Sequence, residues 1–236
     1  MSKQIPISIS SEIFEIAPGY RRIVLVGKGI HNVASPDALI ARLREQEELT
    51  HQNVTLEDSR LEAWRETFHA ANIKTNKFRP SIDALTRRVL NGNELPSIST
   101  LVDIGTVLSL RHVLPCGAHS LNDVQQGLEL RKAQGFEQFK PFGTDKSGTV
   151  EAGEIIFVDG NTVATNKWAW RQAVHTIIKN ETTDFELNID ALSVITDEQL
   201  SVIIDDAKTQ IKEFLNVDVE VLRLDMTTPS AEITLG

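Results

Sequence analysis

The sequence has one cysteine, one tyrosine, two methionines and no long apolar run in its 236 residues. A single cysteine cannot form a disulfide within the chain, and a structural zinc site normally needs several Cys and His ligands. No segment approaches the roughly 18 uninterrupted apolar residues that span a membrane, and the first residues lack the basic-then-apolar order of a signal peptide. We therefore expect a soluble, cytoplasmic protein with no membrane partner and no metal.

Motifs that bind common cofactors are also missing, because the sequence has no GxGxxG, P-loop, GxSxG or HExxH. Basic residues are scarce: 24 Lys and Arg face 33 Asp and Glu, for a formal net charge of −9. This balance argues against a general nucleic-acid binder, since phosphate contacts need lysine and arginine. We expect no cofactor and no DNA partner.

The charge is unevenly distributed along the chain. Residues 72–142 carry nine Lys or Arg against six Asp or Glu, whereas residues 180–236 carry three against thirteen. If the protein binds a nucleic acid, the middle of the chain should face it, and the acidic C-terminal part limits the contact to a local footprint.

Hydrophobic patterns predict a mixed α+β chain with a β-rich central layer flanked by helices. The segment "RRIVLVGKGI" (21–30) predicts a buried strand. A helix with Ser35 as its N-cap and a second helix beginning at Thr55 should follow. Residues 1–71 are thus expected to form a β-α-α lead-in that packs on the same domain as residues 72–236.

Three later segments give clear signals, and one does not. "SIDALTRRVLNG" predicts a short helix that ends at Gly92, and Thr196 with Gln199 forms a capping box before a long amphipathic helix. "VDVEVLRLD" predicts a closing strand. Residues 100–110 are interpreted as part of the β-rich layer, although their apolar run fits a helix equally well.

The stretch "LPCGAHSLNDV" combines the only cysteine with a histidine three positions later. His119 is either a general acid or base, because imidazole titrates near neutral pH, or a ring held by nearby backbone. Cys116 as a nucleophile needs a neighbour that favours the thiolate. Small buried packing is the better interpretation of that residue.

Two further segments concentrate polar and aromatic side chains. "NKFRPS" places Lys77 and Arg79 around a phenylalanine, a combination suited to phosphate or carboxylate recognition or simply to a solvated surface. In "KWAWRQAVHT" (167–176), strand alternation would put both tryptophans on one face. Arg171 and His175 beside them are candidates for a pocket.

The run "RRVLNGNELPSISTLVDIGTVLSLRHVLPCGAHSLNDV" resembles the B3/B4 domain of the bacterial phenylalanyl-tRNA synthetase β subunit. "EAGEIIFVDGNTVAT" and "NETTDFELNIDAL" are similar to later elements of that domain, in the same order, so the resemblance covers about residues 76–195. Free-standing B3/B4 proteins are more similar still, since they carry "NKFRPS", "PCGAHSLND" and "WRQAVHTI" almost unchanged. The synthetase's catalytic, anticodon-binding and N-terminal tRNA-binding modules have no counterpart here.

The resemblance implies a B3/B4-type fold and an editing site that hydrolyses a wrongly attached amino acid from tRNA. The family's editing histidine falls on His119 and the preceding proline on Pro115. Two asparagines of the family pattern fall on Ser99 and Thr100. The shared motifs also make substrate-binding candidates of two further residues, which are Asn76 and Asn122.

Two family groups are missing from the sequence. The editing arginine would fall near Leu95 or Pro96, and the glutamate that reads the tyrosine hydroxyl would fall within residues 168–177, where none occurs. A pocket without this polar partner should not select tyrosine in the same way. The residue types suggest replacements, which are Arg79, Arg171 and His175.

We therefore expect a protein that binds tRNA or aminoacyl-tRNA. It is either a free-standing editing hydrolase that deacylates mischarged tRNA, with His119 positioning water or the ester, or a binding module without turnover. The third alternative is a binder of an amino-acid-like metabolite that keeps only the fold, because fold alone does not fix function.

Overall fold

The computed structural model describes residues 2–236, which form six helices and twelve strands. The helices are α1 (Ser11–Ile16), α2 (Asp37–Asn53), α3 (Ser59–Ala70), α4 (Ser81–Leu90), α5 (Thr100–His112) and α6 (Asp197–Leu215). The strands are β1 (Lys3–Ile9), β2 (Arg21–Gly27), β3 (Cys116–Ser120), β4 (Leu128–Lys132), β5 (Gln138–Phe139), β6 (Gly148–Thr149), β7 (Ile155–Asp159), β8 (Thr162–Asn166), β9 (Arg171–Gln172), β10 (Phe185–Ala191), β11 (Glu220–Leu224) and β12 (Ser230–Leu235). The predicted mixed α+β class is confirmed.

The strands form two sheets. The larger sheet has eight strands in the order β12-β1-β4-β7-β8-β5-β6, with β9 paired to β8. The smaller sheet has four antiparallel strands in the order β11-β2-β10-β3. One large apolar cluster joins residues of both sheets, and a second packs the smaller sheet against helices. The smaller sheet is therefore the central layer of the fold.

Strand β10 shows that the two faces of the smaller sheet differ in polarity. Its sequence, FELNIDA, alternates apolar and polar residues, and all seven are buried. Because successive side chains of a strand point to opposite faces, the apolar set shares the face of the helices. The polar set shares the other face, towards the larger sheet, and consists of Glu186, Asn188 and Asp190.

Helix α5 settles the assignment that the sequence leaves open. The segment forms a helix over Thr100–His112 and packs against α2, α6 and β3. Asp103 anchors its first turn, since its carboxylate accepts hydrogen bonds from the Ile98 N–H at 3.0 Å and the Ser35 hydroxyl at 2.6 Å. The interpretation of residues 100–110 as part of the β-rich layer is wrong. A helix enclosed by neighbours on several sides needs no polar face, so its run looks like a buried strand.

Two predicted helix starts are shifted. Helix α2 begins at Asp37 with Pro36 as the N-cap, because the Ser35 hydroxyl bonds to Asp103 instead. Helix α3 begins after Asp58, whose carboxylate accepts the Arg60 N–H at 2.9 Å. An aspartate is a strong N-cap, and the helix therefore begins at Ser59, four residues beyond Thr55.

The two chain ends pair with each other, which the sequence pattern does not predict. Strands β1 and β12 form an antiparallel ladder over six residue pairs at one side of the larger sheet. The predicted closing strand exists as β11, but the chain continues into β12. The interpretation of β11 as the last strand is therefore wrong.

Other predictions about the helices are confirmed. Helix α4 ends before Gly92, whose φ of 73° is readily adopted by glycine. Thr196 and Gln199 form the capping box of α6. No helix within residues 2–236 is both long and apolar enough to cross a membrane.

Candidate functional site

A cavity of about 150 Å³ lies between the two sheets. The smaller sheet lines it with Arg22, Asn188 and Asp190, and the larger sheet lines it with Phe157 and Thr165. We call it the His119 cavity, because His119 of β3 also lies in its wall. Its lining therefore combines an ion pair, an imidazole and aromatic surface.

Arg22 forms the charged wall of the cavity and is only 3% exposed. Its guanidinium lies 3.0 Å from an Asp190 oxygen and 3.2 Å from a Glu186 oxygen, and it stacks 4.2 Å from the Phe157 ring centroid. The register of β2 with β10 places Arg22 directly opposite Asp190. Burial raises the pKa of both carboxyl groups, that of Glu186 to about 7.

Asp190 is held by further polar groups. The Tyr20 hydroxyl donates to its Oδ1 at 2.8 Å, and the Asn188 amide donates to its Oδ2 at 3.0 Å. Asn188 Oδ1 accepts no hydrogen bond from any residue within 2–236, so it remains a free acceptor in the cavity wall. An amide oxygen of this kind can accept from an ammonium or amide group of a ligand.

His119 lies beside this network with a defined ring orientation. Its Nδ1 lies 2.6 Å from the Thr176 hydroxyl and 3.3 Å from the Gln172 amide nitrogen, while its Nε2 lies 3.3 Å from the Thr165 hydroxyl. Because an amide nitrogen only donates, Nδ1 carries the lone pair and Nε2 carries the hydrogen. The imidazole therefore presents a donor towards Thr165.

The electrostatics of His119 favour a donor over a base. Burial, together with the smaller effects of the nearby Arg22 and His175, lowers the pKa of its imidazole to about 3. The ring is thus neutral at physiological pH. A group with so low a pKa is a weak proton acceptor, whereas a neutral imidazole still donates a hydrogen bond through Nε2.

The rim of the cavity is a turn rather than the strand predicted for residues 167–176. Lys167 and Trp168 have φ values of 51° and 63°, in the left-handed region, so the chain reverses and only Arg171–Gln172 forms strand β9. The two tryptophans consequently have different neighbours. Both line the cavity, but Trp168 is buried with its ring centroid 5.2 Å from that of Tyr20, whereas Trp170 is half-buried with its centroid 4.7 Å from that of Phe78. The predicted alternation is wrong because two consecutive residues leave extended geometry.

A family model described as the B3/4 domain matches residues 63–212 of the sequence. The chain belongs to the B3/4 domain family. This B3/4 domain includes β3, β10 and the rim turn, whereas Arg22 and Tyr20 come from the residues before it. A comparison with curated protein sequences found no match.

A solved structure has a similar fold to this B3/4 domain protein. It is an N-terminal fragment of the phenylalanyl-tRNA synthetase β subunit from Pyrococcus horikoshii, with a TM-score of 0.51 and 10% sequence identity. The match covers 97% of this chain and 53% of that one, so the chain spans about half the length of the fragment. At this identity the likeness concerns the fold alone.

Three of the predicted catalytic and substrate-binding residues line the cavity of the B3/4 domain. They are Pro115 and His119 on one side and Arg171 on the rim. Arg171 donates to the Phe142 carbonyl at 2.9 Å and lies 6.0 Å from the Trp170 ring centroid. The motifs "PCGAH" and "WRQ" thus meet in space.

Four of the other predicted substrate-binding residues lie away from the cavity. Asn76 and Arg79 are exposed on the connection between α3 and α4. Ser99 and Thr100 are buried at the start of α5, where the Thr100 hydroxyl donates to the Val33 carbonyl at 3.1 Å. These four side chains are not among those that line the His119 cavity.

Asn122 and His175 bond to neighbouring structural elements. Asn122 Oδ1 accepts the Thr183 and Asp184 N–H groups at 2.9 and 3.1 Å, which fastens the loop before β10. His175 Nε2 lies 2.8 Å from Asp159 Oδ2, and Asp159 also accepts three backbone N–H groups from the turn before β4. Both side chains thus hold loops around the site.

Cys116 lies in the cavity wall and is half-buried, rather than fully buried as predicted. Its backbone N–H donates to the Ser109 hydroxyl at 3.0 Å. Burial raises the pKa of its thiol, so the thiolate needed for a nucleophile is disfavoured. Within residues 2–236, no group of three or more His, Cys, Asp or Glu is arranged to hold a metal ion.

Several cavity residues were not singled out from the sequence, namely Arg22, Thr165, Gln172, Asn188 and Asp190. One usable signal existed. Polar residues alternate with apolar ones in "FELNIDA", and a buried strand with three polar side chains on one face must satisfy them against each other or a ligand. No comparable signal marked Arg22, since an arginine pair beside an apolar run is typical of a strand end.

Proposed function

We propose that this B3/4 domain protein binds tRNA and that the His119 cavity receives the aminoacyl group at the tRNA 3′ end. The fold likeness to a fragment of a tRNA synthetase β subunit supports the tRNA partner. The observation that carries the proposal is the cavity of amino-acid size, whose wall brings His119 of β3 together with Asn188 and Asp190 of the neighbouring strand β10.

The volume of the cavity supports an aminoacyl ligand. An engineered cavity of about 150 Å³ binds benzene, and the His119 cavity has about the same volume. A small amino-acid group fits this space, whereas drug-sized ligands occupy pockets of roughly 300 to 1,000 Å³. The nucleotide that carries the amino acid would thus remain outside, near Trp170 and Arg171.

The polar groups of the wall suit the two ends of an amino-acid ester. The free Oδ1 of Asn188 and the carboxylate of Asp190 would accept from the α-ammonium group. His119 Nε2–H would donate to the carbonyl oxygen in place of the hydroxyl of Thr165. The substrate would be held with its ester carbon towards the mouth, since a hydrogen-bonded acceptor and donor fix its orientation.

Hydrolysis of that ester is the reaction we propose. Water adds to the carbonyl carbon, the bond from that carbon to the ribose oxygen breaks, and the proton lost by the water ends on the ribose oxygen. His119 contributes by stabilising the charge that develops on the carbonyl oxygen, not by removing the proton from water. A preorganised donor of this kind is worth about 10²- to 10³-fold in rate.

The test is hydrolysis of a tRNA pool charged with one radiolabelled amino acid at a time. We expect the protein to shorten the lifetime of at least one aminoacyl-tRNA, and His119→Ala to remove about 10²-fold of that acceleration. His69→Ala is the matched control, because His69 is exposed on α3. If no charged tRNA decays faster with the protein than without it, the hydrolytic part of the proposal is wrong.

Binding is tested separately from turnover. Uncharged tRNA should bind with an affinity that falls as salt rises, because lysine and arginine displace counterions from phosphates. If tRNA binds saturably but no aminoacyl-tRNA is hydrolysed, the protein is a binding module that uses the same cavity without turnover. If the binding signal does not change with tRNA concentration, the proposal that the protein binds tRNA is wrong.

The size of the cavity favours one alternative function. A volume of about 150 Å³ also suits a free amino-acid-like metabolite, which needs no RNA. Native mass spectrometry of the protein mixed with free amino acids separates the two functions. A tight one-to-one complex that tRNA neither displaces nor strengthens would favour the metabolite.

A further inference from the structure

A second and larger cleft lies on the other side of the rim turn. Its volume is about 630 Å³. We call it the lysine cleft, because four lysines line it, namely Lys74, Lys77, Lys132 and Lys167. It is formed by the α3–α4 connection, the end of β4, the loop before β7 and the first residue of the rim turn.

Two of these lysines have no carboxylate partner. Lys74 and Lys77 are exposed, and neither forms an ion pair with any residue within 2–236. Lys132 lies 3.9 Å from a Glu12 oxygen, and Lys167 is paired with Glu154. The remaining acidic residue of the lining is Glu151. In a chain with a net charge of −9, free lysines gathered in one concave surface attract an anion.

Aromatic side chains separate the lysine cleft from the His119 cavity. Phe78 lines the cleft and Trp170 lines the cavity, and their ring centroids are 4.7 Å apart. Lys167 Nζ lies 4.5 Å from the Phe78 centroid, and Lys77 Nζ lies 5.0 Å from it. The mouth of the cavity and the lysines are therefore neighbours across one aromatic pair.

Lysines that follow an aromatic pair are the arrangement by which proteins bind single-stranded nucleic acid. The cations track the phosphates, and the rings stack on bases. A duplex offers its bases only in the grooves, so half-buried rings at a cavity mouth match an unpaired strand better. The positions of the two sites also fit an RNA end, because a single strand bound along the lysine cleft would end at the His119 cavity.

We propose that the lysine cleft binds the phosphodiester backbone of an unpaired RNA 3′ end whose last residue reaches the His119 cavity. Lys74 and Lys77 contact phosphates, Lys132 and Lys167 complete the positive wall, and Trp170 stacks on a base. This inference rests on the proposed function. It adds a path for the RNA. It also assigns a role to the segment "NIKTNKF", none of whose residues line the His119 cavity.

The experiment compares two double variants that remove the same charge. Lys74→Gln with Lys77→Gln changes the cleft, and Lys208→Gln with Lys212→Gln changes exposed lysines of α6. Each protein is titrated into labelled tRNA and into a labelled single-stranded RNA of about ten nucleotides, a length within the range of single-strand sites. Salt is varied from about 50 to 200 mM, and circular dichroism checks folding.

We expect the cleft variant to bind both RNAs more weakly and with a shallower salt dependence than the control. Each lost phosphate contact lowers the slope of log affinity against log salt by about 0.7 on a single strand, so the double variant should lose about 1.4. A single variant, Lys77→Gln, should lose about half of this. A duplex of the same length should respond little to either change.

The outcomes separate this inference from the proposed function. If tRNA binds but the cleft variant behaves like the α6 control, the lysine cleft is wrong and tRNA binding stands. If the wild-type protein binds no RNA, both are wrong. A third outcome would also overturn the inference. If polyglutamate at equal charge concentration displaces the RNA, and the cleft variant loses as much affinity for polyglutamate as for RNA, the cleft binds acidic peptides.

Discussion

Glu186 and His119 lie opposite each other on neighbouring strands, with a Glu186 carboxylate oxygen 3.9 Å from His119 Nε2. Burial shifts the two groups in ways that both oppose charge: it raises the pKa of Glu186 to about 7 and lowers that of His119 to about 3. Arg22 and Asp190 supply the neighbouring charges. The neutral donor of the cavity wall, His119, therefore lies beside a carboxyl group whose pKa is near neutral pH.

Replacing Glu186 with glutamine should change how stability depends on pH. The pKa of Glu186 in the folded protein is about 7, above its ordinary value of 4.5, so the folded state holds more protons than the unfolded state between these values. Stability from this group is then present below about pH 4.5 and is lost as pH rises through 7. Each unit of pKa difference corresponds to about 1.4 kcal/mol.

Urea denaturation of both proteins from pH 4 to 8 checks this. The free energy of unfolding of the wild-type protein should fall relative to Glu186→Gln as pH rises. His119 contributes in the opposite direction, but it is present in both proteins. A difference that stays constant across this range would contradict the assignment of the raised pKa to Glu186.

Removing the cation from the buried network should strongly destabilise the protein. Arg22→Met leaves Glu186 and Asp190 buried without their partner, and the loss of one member of a buried pair costs about 3 to 5 kcal/mol. Arg42→Met is the control, since Arg42 pairs with Glu213 at the surface, where a pair is worth about 1 kcal/mol or less. Urea denaturation measures the loss in each variant. If Arg22→Met and Arg42→Met lower the free energy of unfolding equally, the buried network contributes no more than a surface pair.

Adding one methyl group to the cavity wall should reduce ligand binding with little loss of stability. A Cβ at Gly117 would lie 3.0 Å from Asn188 Oδ1, so the flexible amide must move by a few tenths of an ångström. Gly117→Ala therefore places a methyl group beside the free acceptor of the cavity. Thermal denaturation and affinity for aminoacyl-tRNA should be measured together. Unchanged affinity in a folded variant would place the ligand elsewhere.

Two other glycines should respond to alanine in opposite ways. Gly105 lies within α5 with no atom within 4 Å of an added Cβ, so Gly105→Ala should stabilise the protein by about 0.5 to 1 kcal/mol. At Gly27 the added Cβ would overlap the Phe185 ring, and overpacking there costs about 1 to 3 kcal/mol. Urea denaturation measures both changes. If the two substitutions change the free energy of unfolding in the same direction, the described packing around the smaller sheet is contradicted.

The sequence predicts the fold best where a pattern is local. The capping box of α6 and the stop at Gly92 each involve residues within one helix, and both are confirmed. Helix α5 was ambiguous because burial on several sides removes the polar face that distinguishes helix from strand. The β1–β12 ladder joins the two ends of the chain, and no local pattern reports such a pairing.

The candidate site shows the same division. The motif resemblance singled out His119 and Pro115, and both line the cavity. Arg22 reaches His119 only through the registers of β2 with β10 and of β10 with β3, which the sequence does not specify. The rim depends on left-handed geometry at Lys167 and Trp168, residue types that do not signal a turn.

The most direct test of the account compares the affinity of the protein for uncharged tRNA with that for tRNA carrying an amide-linked amino acid, which resists hydrolysis. If the aminoacyl group enters the His119 cavity, the charged tRNA should bind more tightly at the same salt concentration, and Gly117→Ala and His119→Ala should each reduce the difference while binding of uncharged tRNA stays the same. Equal affinity for charged and uncharged tRNA with every amino acid, in the wild-type protein and in both variants, would contradict the central claim.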